Sequence, residues 1–207
     1  VICRKRLPRD AAVENFLDGC IAVKDEIKAK GLRPSIIHSQ IMNERILEKY
    51  HVVDAIGLVQ PMYIHSDWSI ADSRVGDRMK TSYCFGSMLK DGIRLAGSSD
   101  LPIESCNPFE AIQVNITRKD LSGQPEGGWY PEEKLSRLDA VKMYTNFGAY
   151  VSKDEDSIGS LEVGKRANFI VVSDDVFEVP EDTIKNIKVL NTYIDGECEF
   201  NIDKEGK

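Results

Sequence analysis

Three polar residues each close a short apolar run: His38 after residues 34–37, Gln60 after residues 56–59, and Asp100 after residues 93–97 with two serines between. A neutral imidazole at a strand end is a good ligand for zinc or another borderline metal, or else it hydrogen-bonds the strand end. A carboxylate at Asp100 can bind a metal through one oxygen and take a proton from bound water through the other. Its bland alternative is a turn acid that satisfies backbone donors ahead of Pro102. Arg74 and Arg78, one helical turn apart, either present guanidinium groups to a substrate carboxylate or carbonyl or form a solvated helical face. His51 and His65 stand in or beside polar stretches without partner spacing and are expected at the surface. Trp68 and Trp129 are expected to pack loops. A Walker-type glycine loop, a G-x-G-x-x-G turn after a strand and a G-x-S-x-G elbow are all missing from the sequence, so nucleotide-dependent and serine-hydrolase chemistry lack support.

Those groups can cooperate only if the chain carries them to one end of one sheet. Residues 10–30 place Val13, Phe16, Leu17, Cys20, Ile21, Val23 and Ile27 on a helical repeat that Gly31 stops. A strand over 34–38, a helix up to Tyr50 and a second strand over 56–59 follow. A long polar loop, a helix over about 80–90 and a third strand over 93–97 come next. Asn107 and Pro108, with Glu110 in the capping-box position, open a helix to about Arg118. Residues 120–134 are expected to form a surface loop. Ser136 and Asp139 start a further helix that carries Leu138, Val141, Tyr144 and Ala149 toward the core. From Lys153 the period changes to two. Strands are expected over 169–172, 187–194 and 197–202, the last two joined by an Asp195-Gly196 turn. Strand-helix alternation implies parallel strands with right-handed crossovers, and in such sheets reactive groups collect at the carboxyl ends of the strands.

The 207 residues, 42% hydrophobic and 29% charged, describe a globular chain of one core plus an appendage. A net charge of −7 argues against capture of nucleic acid or anionic lipid through general electrostatics. Apolar runs fall short of a bilayer span, the start has no leader-like segment, and a cytoplasmic protein is expected. Five cysteines without a C-x-x-C pair are expected to be reduced and mostly structural. The first residue is Val, which suggests a processed product or a piece of something longer.

The segments IIHSQ, GLVQPMYIHSDW, SRVGDR, LKDGIRLAGSSDLPIESCNPFEAI and IGSLEVGKRANFIVVSDD, taken in order, resemble the amidohydrolase superfamily in its amidohydrolase-3 branch. The resemblance places the family's strand-six histidine on His38, its strand-seven Q-P on Gln60 and Pro61, and its strand-eight S-D-x-P on Ser99, Asp100 and Pro102. It implies that His38 is a metal ligand and that Asp100 is both a ligand and the general base. Gln60, Arg74 and Arg78 are assigned to substrate binding. The implied cofactor is a divalent metal, zinc first, and the implied partner is a small-molecule substrate, with a homo-oligomer possible. The implied fold is α/β: a partial TIM-like (β/α) barrel over residues 1–152, then the β-rich portion of a small β-sandwich over 153–207, completed by both chain ends.

Gly159, Leu161, Gly164, Lys165 and Ala167 match the motif that leads into that sandwich, and Asn168 stands where the family has Asp. The family's H-x-H, its bridging ligand and its strand-five histidine belong upstream, and KRLPRD keeps Asp10 but offers no histidine. A βα unit takes roughly 30 residues, so three strands make less than half a barrel. Two ligands are also fewer than the three that hold a catalytic zinc. Alone, this polypeptide is expected to be a weak hydrolase or inactive. The alternative from another class is a non-catalytic regulatory or interaction module, since some relatives in this branch are described as exoenzyme regulatory proteins. An open three-stranded α/β binding domain is a third possibility.

Overall fold

Residues 10–204 are described by a computed structural model; Cys3 and the KRLPR part of the strand-five segment lie outside the described residues. Three short strands, β1 (Ser35–Ile37), β2 (Ile56–Val59) and β3 (Leu95–Gly97), form a parallel sheet in the order β1-β2-β3. Ile36 pairs with Gly57 and Gly57 with Leu95, and these residues face the helical layer. A Cβ on Gly57 would come within 2.6 Å of the Leu95 Cδ2 methyl, which would have to shift to admit it. On the opposite face Ile56 and Ala96 are buried, and Ile37 and Leu58 are half-buried.

The helices are α1 (Asp10–Ala22), α2 (Lys24–Ala29), α3 (Glu44–Val52), α4 (Met62–Val75), α5 (Phe85–Lys90), α6 (Pro108–Thr117), α7 (Arg137–Lys142) and α8 (Asn146–Ser152). The single helix expected over 10–30 breaks at Val23, whose ψ of 25 leaves the helical region and separates α1 from α2. Likewise, the helix opened by Ser136 divides at Thr145, with Leu138 exposed rather than in the core. The largest correction concerns residues 62–79: the expected polar loop is α4 followed by a 3-10 segment over Gly76–Thr81.

α4 buries only Met62, Ile64 and Ala71, so it lacks the broad apolar stripe that marks a core-facing helix. Polar side chains hold it instead. Asp67 accepts from the Tyr83 hydroxyl at 2.6 Å, Asp72 accepts from Trp129 Nε1 and the Tyr130 hydroxyl, and Trp68 donates to Asp120. Both tryptophans therefore pack the 118–130 loop, as expected. Burial next to Asp67 pushes the Tyr83 phenol above its ordinary range, so it stays a donor. Arg118 closes α6 with a left-handed φ of 56 and donates to the Trp129 and Tyr83 carbonyls; burial lowers its guanidinium to about 10.

The tail adds an antiparallel sheet of β4 (Phe169–Val172), β5 (Val189–Ile194) and β6 (Glu197–Asn201). The Asp195-Gly196 turn appears as expected, both residues having positive φ. Asn168 accepts from the Asp195 amide at 2.8 Å, the acceptor role an aspartate would fill. β5 begins two residues later than expected, because Ile187 and Ile184 turn inward and join the core of the first region. Lys185 N donates to Gln113 Oε1 on α6 at 2.9 Å, and Arg137 donates to the Val176 and Val179 carbonyls.

Candidate functional site at the strand ends

All three strands finish on the same side, and the residues just past them form one hydrogen-bonded group. The ladder continues beyond the strands, with His38 N donating to Leu58 O and Ser98 N to Val59 O, both at 2.8 Å, so the two flanking ends are tied to the central one. Strict alternation would send His38 to the helical side with Ile36. A positive φ at His38 (78) and Ser39 (39) reverses this. Ser39 takes the interior place, bonded to Ile36 O and the Tyr50 hydroxyl, while the imidazole swings to the mouth of the sheet.

There His38 Nδ1 lies 2.8 Å from Gln60 Oε1, and Gln60 Nε2 donates to Ser98 Oγ at 2.7 Å. Gln60 is 1% exposed, with both ends of its amide engaged within the protein. Tyr63, in the first turn of α4, stacks on the His38 ring at 6.0 Å and 15°. Its hydroxyl donates to Asp100 Oδ2 at 2.7 Å. His38 and Asp100 extend from β1 and β3, which flank β2 rather than neighbour each other, and Tyr63 is the bridge between them. Ser66 donates to Glu104 and ties the loop after Asp100 to the same helix. A cleft of about 400 Å³ opens beside the end of β3, lined by Ser98, Ser99, Ser105, Cys106, Asn107 and Tyr144. The Tyr144 ring occupies the space a Cβ on Gly97 would need, with its Cζ 2.4 Å from that point.

Arg74 and Arg78 are not brought to this group. Arg74 is exposed in the last turn of α4, about 16 Å along the axis from Tyr63 at 1.5 Å per residue, and Arg78 is exposed and pairs with Asp10 at 3.2 Å. His51 is a surface residue, as expected, and lies 2.6 Å from Asp91. His65 departs from expectation: it is partly buried, and its Nδ1 accepts from Leu121 N at 3.2 Å. Tyr63 and Ser98 were missed as parts of the site. The available signal for Tyr63 was Pro61 followed by a stretch free of glycine up to Gly76, which permits a helix directly after the strand.

The donor set can be tested against a metal. Among the described residues, no group of three His, Cys, Asp or Glu side chains comes together. His38 and Asp100 fall short of the three protein ligands of a catalytic zinc, so these residues alone do not fit a resident catalytic metal.

Comparison with known proteins decides the family. The model of the amidohydrolase family matches residues 8–200. The chain belongs to the amidohydrolase family. YtcJ of Bacillus subtilis (strain 168), named for an amidohydrolase, is 30% identical over 192 residues, 92% of this chain and 36% of YtcJ. The N-substituted formamide deformylase of Arthrobacter pascens is 34% identical over 114 residues, 55% of this chain and 20% of the deformylase. A solved metal-dependent hydrolase from Pyrococcus horikoshii OT3 superposes with a TM-score of 0.67 at 31% identity, covering 83% of this chain and 34% of that one. The amidohydrolase chain thus spans about a third of the length of YtcJ and of that hydrolase. Among the described residues, no helix is long and apolar enough to cross a membrane.

Proposed function

We propose that the chain is the carboxyl-terminal part of a metal-dependent amidohydrolase that hydrolyses non-peptide carbon–nitrogen bonds. The observation that carries this is the meeting of His38, Gln60, Tyr63 and Asp100 at the carboxyl ends of three parallel strands, where α/β folds keep their chemistry. In this reading, residues 1–152 are the last three units of a (β/α) barrel, and 153–207 are a portion of a β-sandwich. The upstream part of the barrel supplies the remaining ligands, in a cytoplasmic enzyme. A divalent metal, zinc first, would polarise the scissile carbonyl and acidify water when bound.

This reading gives each of the chain's own residues a role. Asp100, with Oδ2 held by Tyr63, takes a proton from the attacking water on its other oxygen and returns it to the leaving nitrogen. His38 presents one ring nitrogen to the site. Arg74 and Arg78 would reach a substrate only if it is long or if α4 moves. N-substituted formamides join N-acyl amino acids and cyclic amides as substrates to screen, because one relative is named for the first class.

The test is a chain extended upstream through an H-x-H, purified and measured for metal by elemental analysis and for hydrolysis with and without chelator. Bound metal and chelator-sensitive turnover support the proposal; neither metal nor turnover ends it. A non-catalytic docking module is the second reading, favoured by the incomplete donor set among the described residues. Light scattering separates the two, since a docking module self-associates or captures a partner, and a monomer with metal-dependent turnover does not.

A further inference from the structure

Gln60 stands where a substrate-binding residue is expected, yet it is buried and both ends of its amide are engaged. We infer that Gln60 is a positioning residue that fixes the tautomer of His38, keeping the proton on Nδ1 and the lone pair on Nε2. The inference rests on the proposed function for its significance and on hydrogen-bond accounting for its substance.

The accounting starts at Leu58. Its carbonyl oxygen can only accept, and it lies 3.5 Å from one end of the Gln60 amide. That contact favours the NH2 at this end, where it also donates to Ser98 Oγ at 2.7 Å. The other end is then the carbonyl oxygen, and it faces His38 Nδ1 at 2.8 Å. An oxygen that cannot donate requires Nδ1 to carry the hydrogen, so in the neutral ring Nε2 is the basic nitrogen. An imidazole held through one N–H with its other nitrogen bare is the arrangement seen around metal-ligating histidines, where removing the outer partner costs about 10–100-fold in affinity. The order of dependence is therefore Ser98 to Gln60 to His38.

The molecule carries its own control. His65 Nδ1 accepts from Leu121 N, so His65 must hold the opposite tautomer, with its proton on Nε2. The chain has three histidines in all, and His→Gln variants at each position assign the signals.

The experiment is nitrogen-15 imidazole spectroscopy on the 207-residue chain at a pH above the histidine range, with no metal added. His38 is expected to show a protonated Nδ1 and a bare Nε2, and His65 the reverse. Gln60→Leu removes the acceptor and releases His38 to the mixed pattern of a solvated ring, whereas Gln60→Glu keeps an acceptor and rescues the Nδ1–H form. His38 protonated on Nε2, or all three rings sharing one pattern, overturns the inference, and so does a Gln60→Leu spectrum that is unchanged at His38. If Gln60→Leu loses the His65 control it has unfolded, and the unsubstituted chain with Gln60→Glu decides the question. Absence of metal in the upstream-extended chain would sink the hydrolase proposal and leave these spectra untouched.

Discussion

The two sheets differ in what covers them. Around the parallel sheet, Leu17, Ile46, Phe85, Leu95 and Met143 are fully buried, whereas the residues of β4, β5 and β6 are partly buried or exposed. The expected boundary lies near residue 152. Ile184 and Ile187 lie beyond that point yet sit in the first region's core against α6. Core membership, and not sequence position, thus separates a fully packed region from an antiparallel sheet that touches it at Val172 and Val189.

Phe85→Ala should lose about 3–5 kcal/mol in denaturant unfolding, as expected for a fully buried aromatic side chain. Ile184→Ala should lose about 2–5 kcal/mol, although it lies in the tail. A loss near zero there would favour the boundary at 152. The clasp between the regions is smaller. Arg33, just before β1, donates to Glu155 and to the Tyr150 carbonyl, and its guanidinium lies 3.7 Å from the Tyr150 ring centroid. The Arg33 hydrogen bond holds the Glu155 carboxyl down to about 2, below its unfolded value. The clasp's contribution is therefore present above about pH 4.5 and is lost as pH falls toward 2. A third of the Glu155 side chain is in solvent (33%), so the contribution is worth at most about 1 kcal/mol. Glu155→Gln should flatten that part of the stability-versus-pH curve; an unchanged slope would remove the clasp from the comparison.

Smallest of all, Ile170→Thr in β4, at a residue 48% exposed, should change stability by no more than about 0.5 kcal/mol. Thiol labelling sharpens the same contrast. Cys198 and Cys106 are exposed and should react at once with a thiol reagent, whereas burial pushes the Cys84 thiol up to about 12, and it should react only on unfolding. Rapid labelling of Cys84 in the native chain would mean that the packed region opens readily.

The strands were legible because each is a short apolar run ended by a polar residue, and the hairpin because Asp195-Gly196 suits a tight turn. α4 was not, because its carboxylates and aromatic rings bond to a loop more than fifty residues away in sequence, which no local periodicity records. His38 and Asp100 could be picked out by position and by resemblance. The roles of Gln60 and Tyr63 could not, since one depends on burial of an amide and the other on a helix read as a loop. The reversal of faces at His38 and Ser39 is a matter of two backbone angles and leaves no mark in residue types.

The Tyr144 ring lodged at Gly97 acts as a detent on β3. Sliding that strand by two residues would preserve its sidedness but drive Leu95 or Ser99 into the phenol. A one-residue slide would invert every side chain. The ring therefore disfavours other settings of the strand along its axis, three residues before the carboxylate that accepts from the Tyr63 hydroxyl.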